Sequence, residues 1–328
     1  METLDRRGFM IGTAASALAA GSGFAQESYP THAITILNAF PPGGINDIVT
    51  RPFASTLEPL LKQPVVVETK AGAGGQVGAQ VAAVAKPDGY TLLSHNNGIS
   101  GYEEVDKLFG RTPKTTPADF IPLARLVADP LVVVTNEQQP YKTLKDFVDD
   151  AKTRGDTIVY SSGGLYGATH QPVALLEKVT GLPKMRHLPT NGGGPAIIAL
   201  LGNNAQIATQ SISATLQYVK AGKLRALASF GGTRSKALPD VPTVAETVPG
   251  YEASVWYGIV GPKGMPPEAI ETLNKAVNAA LADPKMQARI AELGGTPMPL
   301  SPAAFGKLLA DETEKWAKVV KFANISVE

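Results

Sequence analysis

Two glycine-rich segments near the N-terminal end of the chain each follow a strand-like run of apolar residues. Ala39–Arg51 reads AFPPGGINDIVTR, and Ala71–Gly78 reads AGAGGQVG. A glycine turn that leads from a strand into a helix presents unpaired N–H groups and the positive end of the helix dipole, which attract an anion. A tight turn without a ligand is the open alternative. The amides of Gly44, Ile45 and Asn46 would hold the anion. The candidate residues of the whole segment are Phe40, Gly43, Gly44, Ile45, Asn46 and Asp47.

The second segment invites comparison with a dinucleotide-binding turn. Gly72 and Gly74 supply G-x-G, but the third glycine position falls on Val77, and Gly78 comes one residue late. The G-x-x-x-x-G-K-[ST] pattern of a phosphate-binding loop does not occur. A nucleotide- or cofactor-dependent enzyme is therefore the second hypothesis, and no cofactor is predicted.

Two further loops combine glycine with neutral hydrogen-bond donors. Tyr160–His170 reads YSSGGLYGATH, and Thr190–Pro195 reads TNGGGP. Hydroxyl, amide and backbone donors can hold a carboxylate without a cation, although solvent-facing polar loops would look the same. No nucleophile and base are paired, because Ser162 is not in G-x-S-x-G, so no catalytic residue is predicted. The candidates in these loops are Ser161, Ser162, Gly163, Gly164, Thr169, Thr190, Asn191 and Gly192.

Composition excludes several classes of protein. A formal net charge of +1 leaves no broad basic surface for nucleic acid or an anionic membrane. The absence of cysteine excludes disulfides, iron–sulfur clusters and thiolate zinc sites. The chain has four histidines, and no two of them share a metal-ligand spacing. The sequence therefore predicts neither a nucleic-acid partner nor a metal site.

Residues 1–26 are predicted to be an export signal. Arg6 and Arg7 precede the apolar run Ile11–Ala20, which is too short to span a bilayer, and small residues near Ala25 provide a cleavage zone. The paired arginines are typical of a twin-arginine signal, and an ordinary Sec signal is the alternative. Export by either route would place the protein in the periplasm, so we predict a periplasmic protein.

Strand-like and helical patterns alternate along the rest of the chain, which indicates an α/β fold. Helices are predicted over Thr143–Thr153, between Pro266 and Pro284, and from Ser301 onward, where Trp316 falls on the apolar face. The predicted strands are Ala33–Phe40, Pro64–Lys70, Tyr90–His95, Leu131–Asn136, Thr157–Ser161, Gln206–Gln210, Leu224–Ser229 and Ser254–Val260.

Two segments rich in residues that resist regular structure could carry the chain between domains. They are Ala128–Pro130 and the proline-rich tract Ala237–Gly250. Two crossings predict a discontinuous first lobe of residues 27–129 plus 252–328 and a second lobe of residues 130–251. Ligands of open α/β sheets bind beyond the carboxyl ends of the strands, so the cleft between the lobes is the predicted site.

Several ordered segments resemble one protein family, the extracytoplasmic solute receptors of tripartite tricarboxylate transporters, also called Bug receptors. The resemblance covers nearly the whole chain after the predicted signal. The matching segments are Phe40–Asp47, Gln63–Glu68, Gly72–Gly75, Lys86–Leu93, Ala221–Ala228, Ala237–Glu246 and Pro249–Glu252.

The resemblance implies a periplasmic-binding-protein fold, similar to type II, in which two lobes of mixed sheet flanked by helices close about a hinge. It implies a small organic carboxylate as ligand, namely a di- or tricarboxylate or an aromatic acid. It also implies integral-membrane transporter subunits as partners of a monomeric receptor. An exported ligand sensor for a signalling partner would look the same in sequence.

The family's ligand-binding positions carry over to both lobes of this chain. They add His95 and Asn96 to the first-lobe loop, and they add Gln210 to the second-lobe loops. The chain departs from the family pattern at Asn46, at Thr190-Asn191 and at Gln210, where the family commonly has other polar residues. The loss of a lysine and an acid predicts a neutral, amide-lined distal pocket, which disfavours an amino acid because its ammonium group needs a carboxylate partner.

Overall fold

The computed structural model of the protein describes residues 29–165, 167–247, 251–292 and 295–322. The strands are β1 Ile34–Asn38, β2 Val65–Thr69, β3 Thr91–Asn96, β4 Phe120–Asn136, β5 Val159–Ser162, β6 Arg186–Pro189, β7 Ile207–Ser211, β8 Leu224–Ser229, β9 Ser254–Pro262 and β10 Thr296–Pro297. The helices are α1 Ile45–Leu61, α2 Gln76–Ala83, α3 Tyr102–Leu108, α4 Leu144–Arg154, α5 Gln171–Thr180, α6 Gly193–Leu201, α7 Ile212–Lys220, α8 Pro267–Ala282, α9 Pro284–Glu292 and α10 Pro302–Phe322. The predicted export signal lies outside the described residues.

The long strand β4 belongs to two sheets. Its first part, up to Pro130, pairs antiparallel with β9 and β10, and its second part, from Leu131, pairs antiparallel with β7 and β8. The first sheet therefore has the order β2-β1-β3-β9-β4, and the second continues from β4 through β7 and β5 to β6. One strand thus joins the two halves of the molecule.

Each sheet brings three strand ends to one edge. Strands β1, β2 and β3 run parallel in the first sheet, and β5, β6 and β7 run parallel in the second. Because the carboxyl ends of parallel strands lie at the same edge, the loops after them cluster there and lead into the next helices. This geometry gathers the glycine-rich loops of the sequence.

The predicted α/β class is confirmed, and all eight predicted strands are present. Seven of them have small shifts at their ends, and the eighth, Leu131–Asn136, is only the second part of the longer β4. The prediction of irregular backbone at Ala128–Pro130 is wrong, because these residues continue β4 and pair with β9. Proline is tolerated there because Pro130 is the last residue to pair with β9 before the strand changes partners, so its missing N–H falls where the ladder changes. The sequence analysis also missed β6 and β10.

Apolar helix faces fill the cores on either side of the sheets. On α1, Val49, Phe53 and Leu57 recur every four residues and are 2% exposed or less. The predicted inward position of Trp316 on α10 is confirmed, since 3% of this residue is exposed. Among the described residues, no helix is both long enough and apolar enough to cross a membrane.

The packing of α1 predicts a sharp difference between two residues on the same helix. Phe53→Ala leaves a cavity in the core and should lower the free energy of unfolding by about 3–5 kcal/mol. Leu60→Ala, at a side chain that is 45% exposed, is the matched control and should cost less than about 1 kcal/mol. Urea unfolding followed by circular dichroism measures both values. Equal losses in the two variants would contradict the described core.

Candidate functional site

A cavity lies between the two sheets at the edge where their parallel strands end. Its empty volume is about 450 Å³ when its open mouth is included. Six predicted residues line it, namely Phe40, Ile45, Asn96, Gly163, Thr169 and Gln210. Gly193, in the predicted loop Thr190–Pro195, also lines it. Gly74, Ala214 and Tyr257 line it as well and were not predicted. No Asp, Glu, Lys or Arg is among the described lining residues, so the cavity carries no formal charge of its own.

Two helices begin at this cavity without a capping side chain from the described residues. Gly44 precedes α1 and Gly192 precedes α6, and neither residue offers a side-chain oxygen to the first amides of its helix. The two helix starts face each other, because a Cβ atom at Gly194 would lie 3.9 Å from the amide nitrogen of Gly44. The first N–H groups of a helix have no partner within it, so donors from both sheets converge here.

Beneath the start of α1, buried polar side chains fix the loop from β1. Asn46 donates from Nδ2 to Asn38 Oδ1 at 2.6 Å and to the carbonyl oxygen of Ser94 at 3.2 Å. Asp47 accepts from Asn38 Nδ2 at 3.0 Å, from Arg51 Nε at 2.7 Å and from the amide of Gly43 at 3.1 Å. The side chains of Asn46 and Asp47 therefore point into the protein interior, and the amide of Gly43 already donates to Asp47.

His95 supports the second glycine turn from below. Its Nε2 lies 2.6 Å from the hydroxyl of Tyr102, which donates to the carbonyl oxygen of Gly74 at 3.0 Å. Burial lowers the pKa of His95 to about 4, so the ring is neutral at neutral pH. A Cβ atom at Gly75 would lie 2.5 Å from His95 Nε2, which explains a glycine at this position. His95 thus holds Gly74 at the cavity without lining it.

The loops of the second sheet use most of their hydroxyl groups internally. Ser161 donates to the carbonyl oxygen of Ala196 at 2.9 Å, and Thr190 donates to the carbonyl oxygen of Ser162 at 2.9 Å. The amide of Gly163 donates to Thr169 Oγ1 at 2.9 Å. Asn191 is exposed and is not among the described lining residues. These bonds fix the shape of the loops, whose residues Gly163 and Thr169 line the cavity.

Ser162 has a partner that the sequence analysis did not find. Its hydroxyl lies 2.7 Å from His187 Nε2, and the ring of His187 stacks on that of His170 at 4.1 Å. Burial lowers the pKa of His187 to about 4 and that of His170 well below its usual range. No motif pointed to His187, because it lies on the short strand β6.

Gln210 is the clearest unfilled donor of the site. It is the second-last residue of β7, is 2% exposed and lines the cavity, while its Nε2 has no hydrogen-bond partner among the described residues. Its Oε1 borders the start of α6, because a Cβ atom at Gly193 would lie 2.7 Å from it. A buried amide without a partner is costly, so this position favours a ligand acceptor.

The loops from the two sheets touch at glycine residues. A Cβ atom at Gly164 would lie 3.0 Å from the Cα atom of Gly74, and one at Gly192 would lie 3.0 Å from Pro41 Cδ. Both Gly164 and Gly192 have positive φ angles near +147°, a region that glycine alone enters readily. The loops of the two sheets are therefore in contact, and glycines permit this close approach.

This architecture is that of the two-lobed periplasmic binding proteins. A family model described as "Tripartite tricarboxylate transporter family receptor" matches residues 49–325. The chain belongs to this family, whose members act in the periplasm. It is a solute-binding receptor and not an enzyme, so the hypothesis of a nucleotide- or cofactor-dependent enzyme does not hold.

Known proteins are similar over most of their length. Protein BugT of Bordetella pertussis (strain Tohama I) is 34% identical over 296 residues, which are 90% of each chain. The structure of R. palustris Rpa4515 with adipate is 28% identical with a TM-score of 0.85, over 91% of this chain and 99% of that one. MatC from Rhodopseudomonas palustris with bound malate is 27% identical with a TM-score of 0.83, over 89% of this chain and 100% of that one.

The neutral, buried state of His95 predicts acid sensitivity. Its folded pKa of about 4 lies below the usual 6.5, so the unfolded state binds the proton first as the pH falls. Stability from this group is therefore present above about pH 6.5 and is lost toward pH 4, by about 3 kcal/mol. His170 and His187 act in the same direction. The free energy of unfolding should fall less steeply with acid in His95→Gln than in the wild type.

Tyr102→Phe is the matched control, because it removes the hydroxyl partner of His95 but no group that titrates near neutral pH. It should keep the wild-type slope between pH 6.5 and 4. Urea unfolding at several pH values gives the slopes. An unchanged slope in His95→Gln would show that the pKa of His95 is the same in the folded and the unfolded protein.

Proposed function

We propose that this receptor captures a small dicarboxylate in the cavity and delivers it to the integral-membrane subunits of a tripartite transporter. The observation that carries the proposal is the convergence of two helix N-termini, from α1 and α6, on a cavity whose described lining residues carry no charge. Helix N-termini favour carboxylates through their free amides and their dipoles. Two of them, one from each sheet, suit a ligand with two carboxylates.

The neutral donors at the cavity support the same ligand class. Gln210 Nε2 offers a donor that no described residue uses, and Asn96 and Thr169 add polar atoms to the wall. No acid is among the described residues that line the cavity, so an ammonium group would lack a carboxylate partner there, which disfavours amino acids. The adipate and malate of the two solved neighbours belong to the dicarboxylate class that we propose for this chain.

We assign two roles to the predicted site residues. The amides at Gly44 and Ile45, with Phe40, Asn96, Gly163, Thr169 and Gln210, form the contact surface for the ligand. The residues that support this surface through internal bonds or by fixing its loops are Gly43, Asn46, Asp47, His95, Ser161, Ser162, Gly164, Thr190 and Gly192. We place exposed Asn191 at the rim of the cavity, where it would meet the ligand only as the lobes close.

The lobe boundaries that we propose remain residues 27–129 plus 252–328 and residues 130–251. The change of partners in β4 supports them, since Pro130 pairs with Ser254 in the first sheet and Leu131 pairs with Ser211 in the second. The return crossing runs beside it, because Phe230 donates to Leu131 and Ala253 donates to Phe230. We propose further that the receptor is monomeric and that its signal is of the twin-arginine type, with Sec as the alternative.

A ligand panel tests the proposal directly. Adipate, malate, other mono-, di- and tricarboxylates and aromatic acids are mixed with the mature protein, and its unfolding temperature is measured. A dicarboxylate at about 100 times its dissociation constant should add about 2.7 kcal/mol of stability. If no dicarboxylate raises the unfolding temperature, the proposed ligand class is wrong.

Gln210 provides the mutational test of the same site. Gln210→Ala removes a donor to a carboxylate and should weaken dicarboxylate binding by about tenfold to a hundredfold. Gln217→Ala, at an exposed glutamine on α7, should leave the affinity unchanged. Calorimetric titration measures both dissociation constants. Wild-type affinity in Gln210→Ala would place the ligand away from this donor.

Closure of the lobes should depend on Gly164. Because the chain has no cysteine, spin labels attach only to cysteines that are introduced. Val84→Cys and Ile198→Cys provide two such sites, since the native side chains are 85% and 70% exposed. Saturating adipate should shorten the distance between the labels in the parent protein. In Gly164→Ala the new Cβ atom meets Gly74. With saturating adipate, the distance between the labels should therefore exceed the parent distance by a few ångströms, about the size of a methyl group.

Gly181→Ala is the control for this experiment. Gly181 also has a positive φ angle, but a Cβ atom there would meet nothing within 4 Å. Pulsed electron paramagnetic resonance should therefore give the parent distance in this variant. The same ligand-bound distance in Gly164→Ala and in the parent would show that the contact with Gly74 does not limit closure.

A further inference from the structure

Asp129 lies buried at the point where β4 passes from one sheet to the other. It pairs with Val255 on β9 in the first sheet, and Leu131, two residues later, pairs with Ser211 on β7 in the second. Asp129 is 0% exposed. An acid at such a position is expensive to ionise unless its charge is compensated.

The carboxyl group of Asp129 is compensated by neutral donors at the start of α7. Its Oδ2 accepts from the amide of Ser213 at 3.0 Å and from the hydroxyl of the same residue. Its Oδ1 has no hydrogen bond of normal geometry within the described chain. From β9 it is faced by Tyr257, and from the β7–α7 turn by Ser211 and Ser213. Among the described residues around the carboxyl group of Asp129, no basic side chain and no second acid interacts with it.

The residues beside Asp129 lie in sequence between residues that line the cavity. Gln210 and Ala214 line the cavity, and between them Ser213 holds the carboxyl group while Ser211 lies beside it. Tyr257 belongs to both sets. Asp129 therefore fixes the turn that carries Gln210, and a single layer of residues separates its charge from the cavity.

This position makes the charge of Asp129 sensitive to neutral pH. Burial raises the pKa of Asp129 to about 7, against the opposing effect of the hydrogen bonds from Ser213. The ligand-free protein is thus a mixture of protonated and ionised forms at that pH. An anion in the cavity repels the ionised form, because like charges in a poorly solvated region interact over about 10 Å.

We propose that Asp129 is a positioning residue of the binding cavity that takes up a proton when an anionic ligand binds. The proposal rests on the proposed function, since it requires an anion in the cavity. By linkage, the receptor then holds its ligand more tightly as the pH falls, because the ligand-bound state binds more protons than the free state. The proton neutralises Asp129 while Ser213 continues to bind its oxygen.

The test is the affinity for adipate at pH 6 and at pH 8.5, measured by calorimetry in two buffers with different ionisation enthalpies. Both carboxyl groups of adipate are mainly ionised over this range, so the ligand contributes little to the change. We expect the dissociation constant to be about tenfold higher at pH 8.5, the size of one charge interaction at an effective dielectric constant of about 20. The two buffers should show proton uptake by the wild type near pH 7.5.

Asp129→Asn keeps an acceptor for Ser213 but cannot titrate. Its affinity should be the same at both pH values, with no proton uptake. Glu177→Gln is the matched control, because Glu177 on α5 is another acid whose pKa burial raises to about 7, and it binds the amide of Met185 instead of the β7–α7 turn. This variant should keep the wild-type pH dependence.

Three outcomes would overturn the proposal. A pH-independent affinity in the wild type without proton uptake refutes it and leaves the proposed function standing. If the affinity of Asp129→Asn still depends on pH, another group takes up the proton. Failure of adipate and malate to bind at either pH removes the proposed function and this inference together. Proton uptake in the wild type is measured without any substitution, so a variant that does not fold leaves the first outcome decidable.

Discussion

The need to hold an anion without a cation is the constraint on which the rest of this structure depends. A carboxylate that leaves water loses several kcal/mol of solvation unless other donors replace the water. No described residue of the cavity wall carries a charge, so the replacement must come from amides and neutral side chains. Such donors are individually weak, and they must be numerous and already in place. The helix starts of α1 and α6 meet this requirement because neither Gly44 nor Gly192 supplies a capping side chain to the first amides.

Fixing those amides explains why so many polar side chains near the cavity point away from it. Asn38, Asn46 and Asp47 form one buried network under the start of α1, and it ties that helix to β1 and β3. His95 and Tyr102 do the same for the turn that contains Gly74. Donors that are held rigidly lose little entropy on binding, so the internal bonds contribute to affinity without a ligand contact. Glycine serves the same end, because it lets backbones from both sheets approach closely.

Much of this arrangement is readable from the sequence, and the limits have physical causes. The glycine loops and the strands before them are local features, so their alternation predicted the fold and the edge of the site. Strand β4 was only half predicted, because Pro122, Asp129 and Pro130 disfavour strands and pairing with β9 overrides that preference. The sequence also does not show which way a polar side chain points. It therefore could not show that Asn46 and Asp47 bond within the protein instead of contacting a ligand. Val255 and Tyr257 on β9 reach the cavity only through the packing of distant strands.

The most direct test of the central claim is the crystal structure of the protein with adipate. The account predicts one carboxylate within about 3 Å of the amides at Gly44 and Ile45 and the other end of the ligand beside Gln210 Nε2, at ordinary hydrogen-bond distances. Contacts from both sheets to one ligand would explain closure. A ligand bound outside this cavity, or held by a Lys or Arg side chain, would contradict the account.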